Sequence, residues 1–108
     1  MEYLTIRQVS RNFGVSTRTL RYYEELGLLQ STRQEAYAYR VYTEESIQRL
    51  RQILILRNLH IPLRQIAAIL ANPSSKEALD LLQSNLSHIH DEINALQIVK
   101  RALAALIA

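Results

Sequence analysis

The stretch Val15-Ser16-Thr17-Arg18-Thr19-Leu20-Arg21-Tyr22-Tyr23-Glu24 decides the fold. Ser16 is a strong helix N-cap type, and no Gly or Pro follows it until Gly27, which supplies a stop. The spacing therefore predicts a helix from Thr17 to Glu25 with Leu20 turned inward. Upstream, Thr5 and Gln8 have capping-box spacing. They open a short helix with Ile6, Val9 and Phe13 on its inner face, and Gly14 closes it. Two short helices joined by Phe13-Gly14-Val15 read as a helix-turn-helix.

Past Gly27 the period changes. Val41 is β-branched and Tyr37, Tyr39 and Tyr42 are aromatic, so residues 29–42 read as a small β-hairpin or wing. Its turn, Gln34-Glu35-Ala36, holds neither Gly nor Asn. Thr43 caps a longer helix whose first turn carries Glu44 and Glu45, the sign a helix N-terminus favours. Ile47, Leu50, Ile53 and Leu54 form its apolar stripe, and it should stop near Leu59 because Pro62 disfavours helical geometry at Ile61. A further short helix places Leu63, Ile66, Ala67 and Leu70 on one face and ends at Asn72-Pro73.

Ser74 and Glu77 then have the spacing of another capping box. Beyond them Leu79, Leu82, Leu86, Ile89, Ile93, Leu96, Lys100, Leu103 and Ile107 alternate steps of three and four, an a/d heptad with one polar member. From Ser75 to Ala108 such a helix would be about 50 Å long. The preceding residues are too few to cover its seam, so a partner helix from a second copy is expected. Lys100 either sets register or snorkels out of the seam.

The 108 residues suit a small domain, and 48% apolar with 21% charged residues is too apolar for disorder. The absence of Cys excludes disulfides, thiolate metal sites and a cysteine nucleophile. No uninterrupted apolar run approaches a membrane span, and Met1-Glu2-Tyr3 does not begin a secretory leader, so the cytoplasm is the expected compartment. The net charge of +3 is unevenly placed. Residues 1–71 hold ten Arg against six Glu, and the remainder holds three cations against four carboxylates. All six Tyr lie within the first 42 residues. Arg and Tyr together suggest a recognition-type surface, with a solvated basic face and Tyr as core filler as the alternative, and the Arg fork suits phosphate and guanine edges.

In a helix-turn-helix the second helix enters the DNA major groove, with its N-terminal residues nearest the bases. Ser16, Thr17 and Arg18 occupy that end. Thr17 and the helix-start amides suit a phosphate, and Arg18 is long enough to reach a guanine edge. The alternative for Arg18 is a merely exposed cation. Arg21 and the hydroxyls of Tyr22 and Tyr23 suit phosphates, although neighbouring positions cannot both face DNA fully, so at least one Tyr belongs partly to the core. His88 and Glu92 stand at i, i+4, but His90 points to another face, so solvated coil positions are expected there and no metal site. No paired carboxylates, phosphate-cradling loop or nucleophile arrangement points to an enzyme, and no cofactor is expected.

The chain resembles the MerR family of transcriptional regulators. The resemblance rests on Leu4-Thr5-Ile6, Gly14-Val15-Ser16, Arg18-Thr19-Leu20-Arg21-Tyr22-Tyr23, Gly27-Leu28-Leu29, Tyr39-Arg40 with Tyr42, and Leu56-Arg57 through Ile69-Leu70. It covers about residues 3–71, and the heptad helix resembles the family's dimerisation helix. Three positions depart from the pattern: Ala38 replaces a usual Gly before Tyr-Arg, Ser31 a common Pro, and His60-Ile61 a common Gly. His tolerates a left-handed backbone better than most residues, so that last turn can survive.

The resemblance implies an all-α dominated fold: a winged helix-turn-helix over residues 1–72, including a second helix pair (Thr43–Leu59 and Leu63–Ala71). A dimerisation helix over 74–108 would form an antiparallel coiled coil. It further implies a homodimer that binds a pseudo-palindromic promoter and distorts its over-long spacer so that RNA polymerase can engage. Arg18 would touch bases, Tyr22, Tyr23, Tyr39 and Arg40 phosphates, and Arg57 the backbone from the second pair. A protein–protein adaptor built on the same platform is the alternative from another class. The chain stops on an apolar end without an effector domain, which suggests either a truncated chain or a minimal regulator.

Overall fold

The computed structural model describes residues 3–33 and 39–108; the expected wing turn at Gln34-Glu35-Ala36, with Tyr37 and Ala38, lies outside the described residues. The described chain forms β1 (Leu4–Thr5), α1 (Ile6–Phe13), α2 (Thr17–Glu25), β2 (Thr32–Arg33), β3 (Arg40–Tyr42), α3 (Glu44–Asn58), α4 (Leu63–Ala71) and α5 (Lys76–Ile107). It divides into two compact units, Met1–His60 and Ile61–Ala108.

Local chemistry sets the helix ends of the first unit. Thr5 Oγ1 accepts from the Gln8 amide at 3.2 Å while Gln8 Oε1 accepts from the Thr5 amide at 2.9 Å, a complete capping box. Gly14 closes α1 at φ 65°, a left-handed backbone that a Cβ would strain. At the end of α2, Gly27 has φ 77°. Its amide donates to Glu24 O at 3.0 Å, and the Leu28 amide donates to Tyr23 O at 3.0 Å. That pairing is a Schellman motif, and both Tyr23 and Leu28 are buried beside it.

The sheet has the order β1-β3-β2, all antiparallel. Thr32 pairs with Val41 and Arg33 with Arg40, the expected hairpin; on the other edge of β3, Leu4 pairs with Tyr42 and Thr5 with Val41. The sequence reading missed β1, because two residues are too few to display alternation. Val9 of α1, Leu20 and Tyr23 of α2, Leu28, Leu29, Val41, Tyr42 and Ile47, Leu50 and Ile53 of α3 are buried. α1 packs on α2 and on both β1 and β3, and α3 packs on β3. Thr43 caps α3 as expected, accepting from the Ser46 amide at 3.2 Å. His60 follows at φ 64°, taking the left-handed turn without a glycine.

The second unit holds α4 packed along α5, with Ile61, Ile66, Ile69 and Ala78 buried. Asn85 Nδ2 donates to Gln65 Oε1 at 2.7 Å, tying the two helices together. Contacts therefore group α4 with α5, whereas the sequence reading placed the division between residues 72 and 74. The inner face of α4 differs from expectation at one position: Ile69 is buried and Ala67 is exposed, because the larger side chain gains more by leaving water. The α5 cap is Ser75 instead of Ser74. The Ser75 amide donates to Asn72 O at 3.1 Å, making a turn with Pro73 inside it; Ser75 is then the first extended residue, and its Oγ accepts from Ala78 at 3.0 Å.

Candidate nucleic-acid interface

The Ser16 cap positions the start of α2. Its Oγ accepts from the Thr19 amide at 3.0 Å and donates to Thr19 Oγ1 at 2.8 Å. The hydroxyl proton is thereby engaged, so an approaching phosphate would meet the first helical amides, those of Thr17 and Arg18, which have no acceptor within the helix. Helical residues advance by about 100°, which separates α2 into two faces. Leu20 and Tyr23 turn inward and are buried, whereas Arg18, Arg21 and Tyr22 share an exposed face that also carries Glu25.

Two adjacent tyrosines are thus divided. Tyr22 is 48% exposed and Tyr23 only 4% exposed. Tyr23 is therefore foremost a core residue, held there by its place one turn from Leu20 and by the Schellman packing on Leu28. Tyr39 and Arg40 are exposed beside β3, and Arg57 is exposed in the last turn of α3. A cleft of about 440 Å³ lies between α2 and the hairpin, lined by Arg21 and Glu24 on one side and Ser31, Tyr39, Arg40 and Tyr42 on the other. It brings Arg21, Tyr39 and Arg40 together. Arg18 and Tyr22 line a neighbouring surface depression with Arg21.

Inside the cleft is a polar network that the sequence reading did not anticipate. Glu24 accepts from the buried Tyr42 hydroxyl through Oε2 at 2.7 Å and from the Ser31 hydroxyl through Oε1. Ser31 Oγ accepts from Arg40 Nε at 2.8 Å, and Ser31 O accepts from Arg40 Nη2 at 2.6 Å. Burial first, and then the hydrogen bond to and charge of Glu24, push the Tyr42 phenol well above its ordinary range, while Arg21 and Arg40 oppose that shift. The one available signal was Ser31, a polar residue where the resembled family commonly has Pro.

Among the described residues no cluster of His, Asp or Glu could hold a metal ion; His88 Nε2 and Glu92 Oε1 lie 2.8 Å apart on an exposed face of α5. The heptad residues Leu79, Leu82, Leu86, Ile89, Ile93, Leu96, Leu103 and Ile107 are all exposed along α5, as are Ile98, Val99 and Leu106 beside them. No helix among the described residues is long and apolar enough to cross a membrane.

A capped two-helix unit with an arginine-bearing second helix and a three-stranded wing defines the class of winged helix-turn-helix proteins. Residues 4–72 match the MerR HTH family of regulatory proteins, and the chain belongs to that family. It is similar to the HTH-type transcriptional regulator SkgA of Caulobacter vibrioides, 41% identical over 73 residues, covering 68% of this chain and 29% of SkgA. The HTH-type transcriptional regulator HmrR of Sinorhizobium medicae is 32% identical over 105 residues, covering 93% of this chain and 71% of HmrR. The crystal structure of SkgA from Caulobacter crescentus superposes with a TM-score of 0.61 at 34% identity, covering all of this chain and 80% of that one. HiNmlR, a MerR family regulator lacking the sensor domain and bound to promoter DNA, gives 0.62 at 25% identity, covering 89% of this chain and 76% of that one. The chain spans less than a third of the length of SkgA and of the activator TipA from Streptomyces coelicolor.

Proposed function

We propose that this chain binds promoter DNA as a homodimer and regulates transcription without catalysing a reaction. Residues 1–72 form the DNA-binding part and residues 74–108 pair two copies through an antiparallel coil. The observation that carries this reading is the shared exposed face of Arg18, Arg21 and Tyr22 on α2, beside Tyr39 and Arg40 at the wing. Arg18 reads a base edge from the N-terminal end of α2; Arg21, Tyr22, Tyr39 and Arg40 hold phosphates, and Arg57 adds a backbone contact. Ser16 and Thr17 contribute through the helix start, Ser16 by capping it. Tyr23 supports the face from beneath and reaches DNA at most by its hydroxyl edge.

The promoter-bound regulator similar to this chain supports DNA as the ligand. The seam of Leu79, Leu82, Leu86, Ile89, Ile93, Leu96, Leu103 and Ile107 supports a second copy as the partner, since a heptad seam left in water is unfavourable. A two-fold dimer requires a pseudo-palindromic site, and distortion of the spacer would let RNA polymerase engage from the cytoplasm. Selection of bound duplexes from a randomised pool tests the reading. An enriched inverted repeat is expected; a pool that stays random after repeated rounds overturns it.

A further inference from the structure

We propose that Glu24 and Ser31 are positioning residues that hold the Arg40 guanidinium ready for a DNA phosphate, an inference that rests on the DNA-binding reading above. Hydrogen-bond direction is forced through the network. A guanidinium only donates, so Ser31 Oγ must receive Arg40 Nε with a lone pair and direct its own proton elsewhere. That proton goes to Glu24, a carboxylate that only accepts. Glu24 is held in turn by the Tyr42 hydroxyl, whose ring is buried. Donation thus converges on Glu24, from the exposed Arg40 by way of Ser31 and from the buried Tyr42, linking the wing strand β3 to α2.

The arrangement has two consequences for Arg40. Its Nε and Nη2 are anchored to one residue, Ser31, which restricts a long side chain that would otherwise sample many rotamers. Its other N–H donors are not engaged by these bonds, and Arg40 lines the cleft shared with Arg21. A phosphate arriving there meets an arginine already ordered, so less freedom is lost on binding. Glu24 carries out this task without forming an ion pair with Arg40, because Ser31 stands between them.

The test is a double-mutant cycle read on a fluorescent duplex of mixed sequence, where phosphate contacts dominate, at several salt concentrations. Ser31→Ala is expected to weaken binding about threefold to tenfold, with the salt slope kept because Arg40 still neutralises its phosphate. Arg40→Ala, which removes one phosphate contact from each of the two protomers, should make that slope shallower by about two, and Ser31→Ala added to Arg40→Ala should cost nothing further. Glu24→Gln should mimic Ser31→Ala, because its amide NH2 cannot accept both hydroxyl protons, and Ser31→Thr, which keeps the hydroxyl, should restore binding. Thermal unfolding of each variant checks that the head stays folded. An equal loss from Ser31→Ala with and without Arg40, or no loss, overturns the positioning role while leaving DNA binding intact. Salt-insensitive binding by the unaltered chain overturns both.

Discussion

Replacing Leu86 and Ile93 of α5 with Asp is expected to abolish pairing of two copies while each protomer stays folded. Leu86 is 68% exposed and Ile93 49% exposed in the single chain. Full burial of a Leu or Ile side chain stabilises by about 1.5–3 kcal/mol. Covering these exposed fractions therefore contributes about 1–2 kcal/mol at Leu86 and about 0.7–1.5 kcal/mol at Ile93. Counting both protomers, the dimer loses roughly 3–7 kcal/mol, and unpaired carboxylates in the seam add to that. At about 1.4 kcal/mol per tenfold, association weakens at least a hundredfold. The protomer itself loses only helix propensity, roughly 0.5 kcal/mol per substitution, because both side chains already face water. Sedimentation equilibrium over a range of concentrations reads the outcome, with Asn94→Asp on the exposed outer side of α5 as the control. A double variant that sediments as a dimer, or an unaltered chain that sediments as a monomer at the same concentrations, would refute the seam.

Three other perturbations have defined outcomes. Arg18→Ala should cost about 1–3 kcal/mol per half-site on the selected repeat and relax preference at one base pair in each half-site; an equal loss on mixed-sequence DNA in a binding titration assigns Arg18 to phosphate instead. The raised Tyr42 phenol makes the folded state hold its proton more tightly than the unfolded chain does. Its contribution is full below about pH 10 and is lost as pH rises through and beyond that value. Tyr42→Phe should cost about 1–2 kcal/mol at neutral pH and flatten that alkaline loss in denaturant titrations; parallel alkaline declines would contradict the assignment. His60→Gly should relieve a left-handed backbone at a net gain of about 0.5–1 kcal/mol after the chain-entropy cost of glycine, and an unchanged melting temperature would show the turn to be unstrained.

Helix ends were legible because capping is local chemistry. Thr5, Ser16 and Thr43 each sit where the side-chain oxygen reaches an amide within one turn, and the helices begin there. The same local reasoning chose Ser74 over Ser75, because it did not foresee the turn that Asn72 and Pro73 make first. The exposed face of Arg18, Arg21 and Tyr22 was largely legible from helical spacing, and the division of Tyr22 from Tyr23 follows from the angle between adjacent positions. What stayed hidden depended on distance along the chain. Glu24, Ser31, Arg40 and Tyr42 meet only after the hairpin folds back on α2, so no periodicity announces them. The burial of Ala78 was equally hidden: a small residue beside a row of leucines carries no signal until α4 lies against α5.

The most direct measurement is the salt dependence of affinity for duplex DNA carrying the selected inverted repeat. Each phosphate neutralised contributes a slope of about −0.9 in log affinity against log salt. Two copies presenting Arg21, Arg40 and Arg57 to phosphates should give a steep negative slope, with one dimer bound per repeat. A flat dependence, or one protomer bound per repeat, would contradict the account.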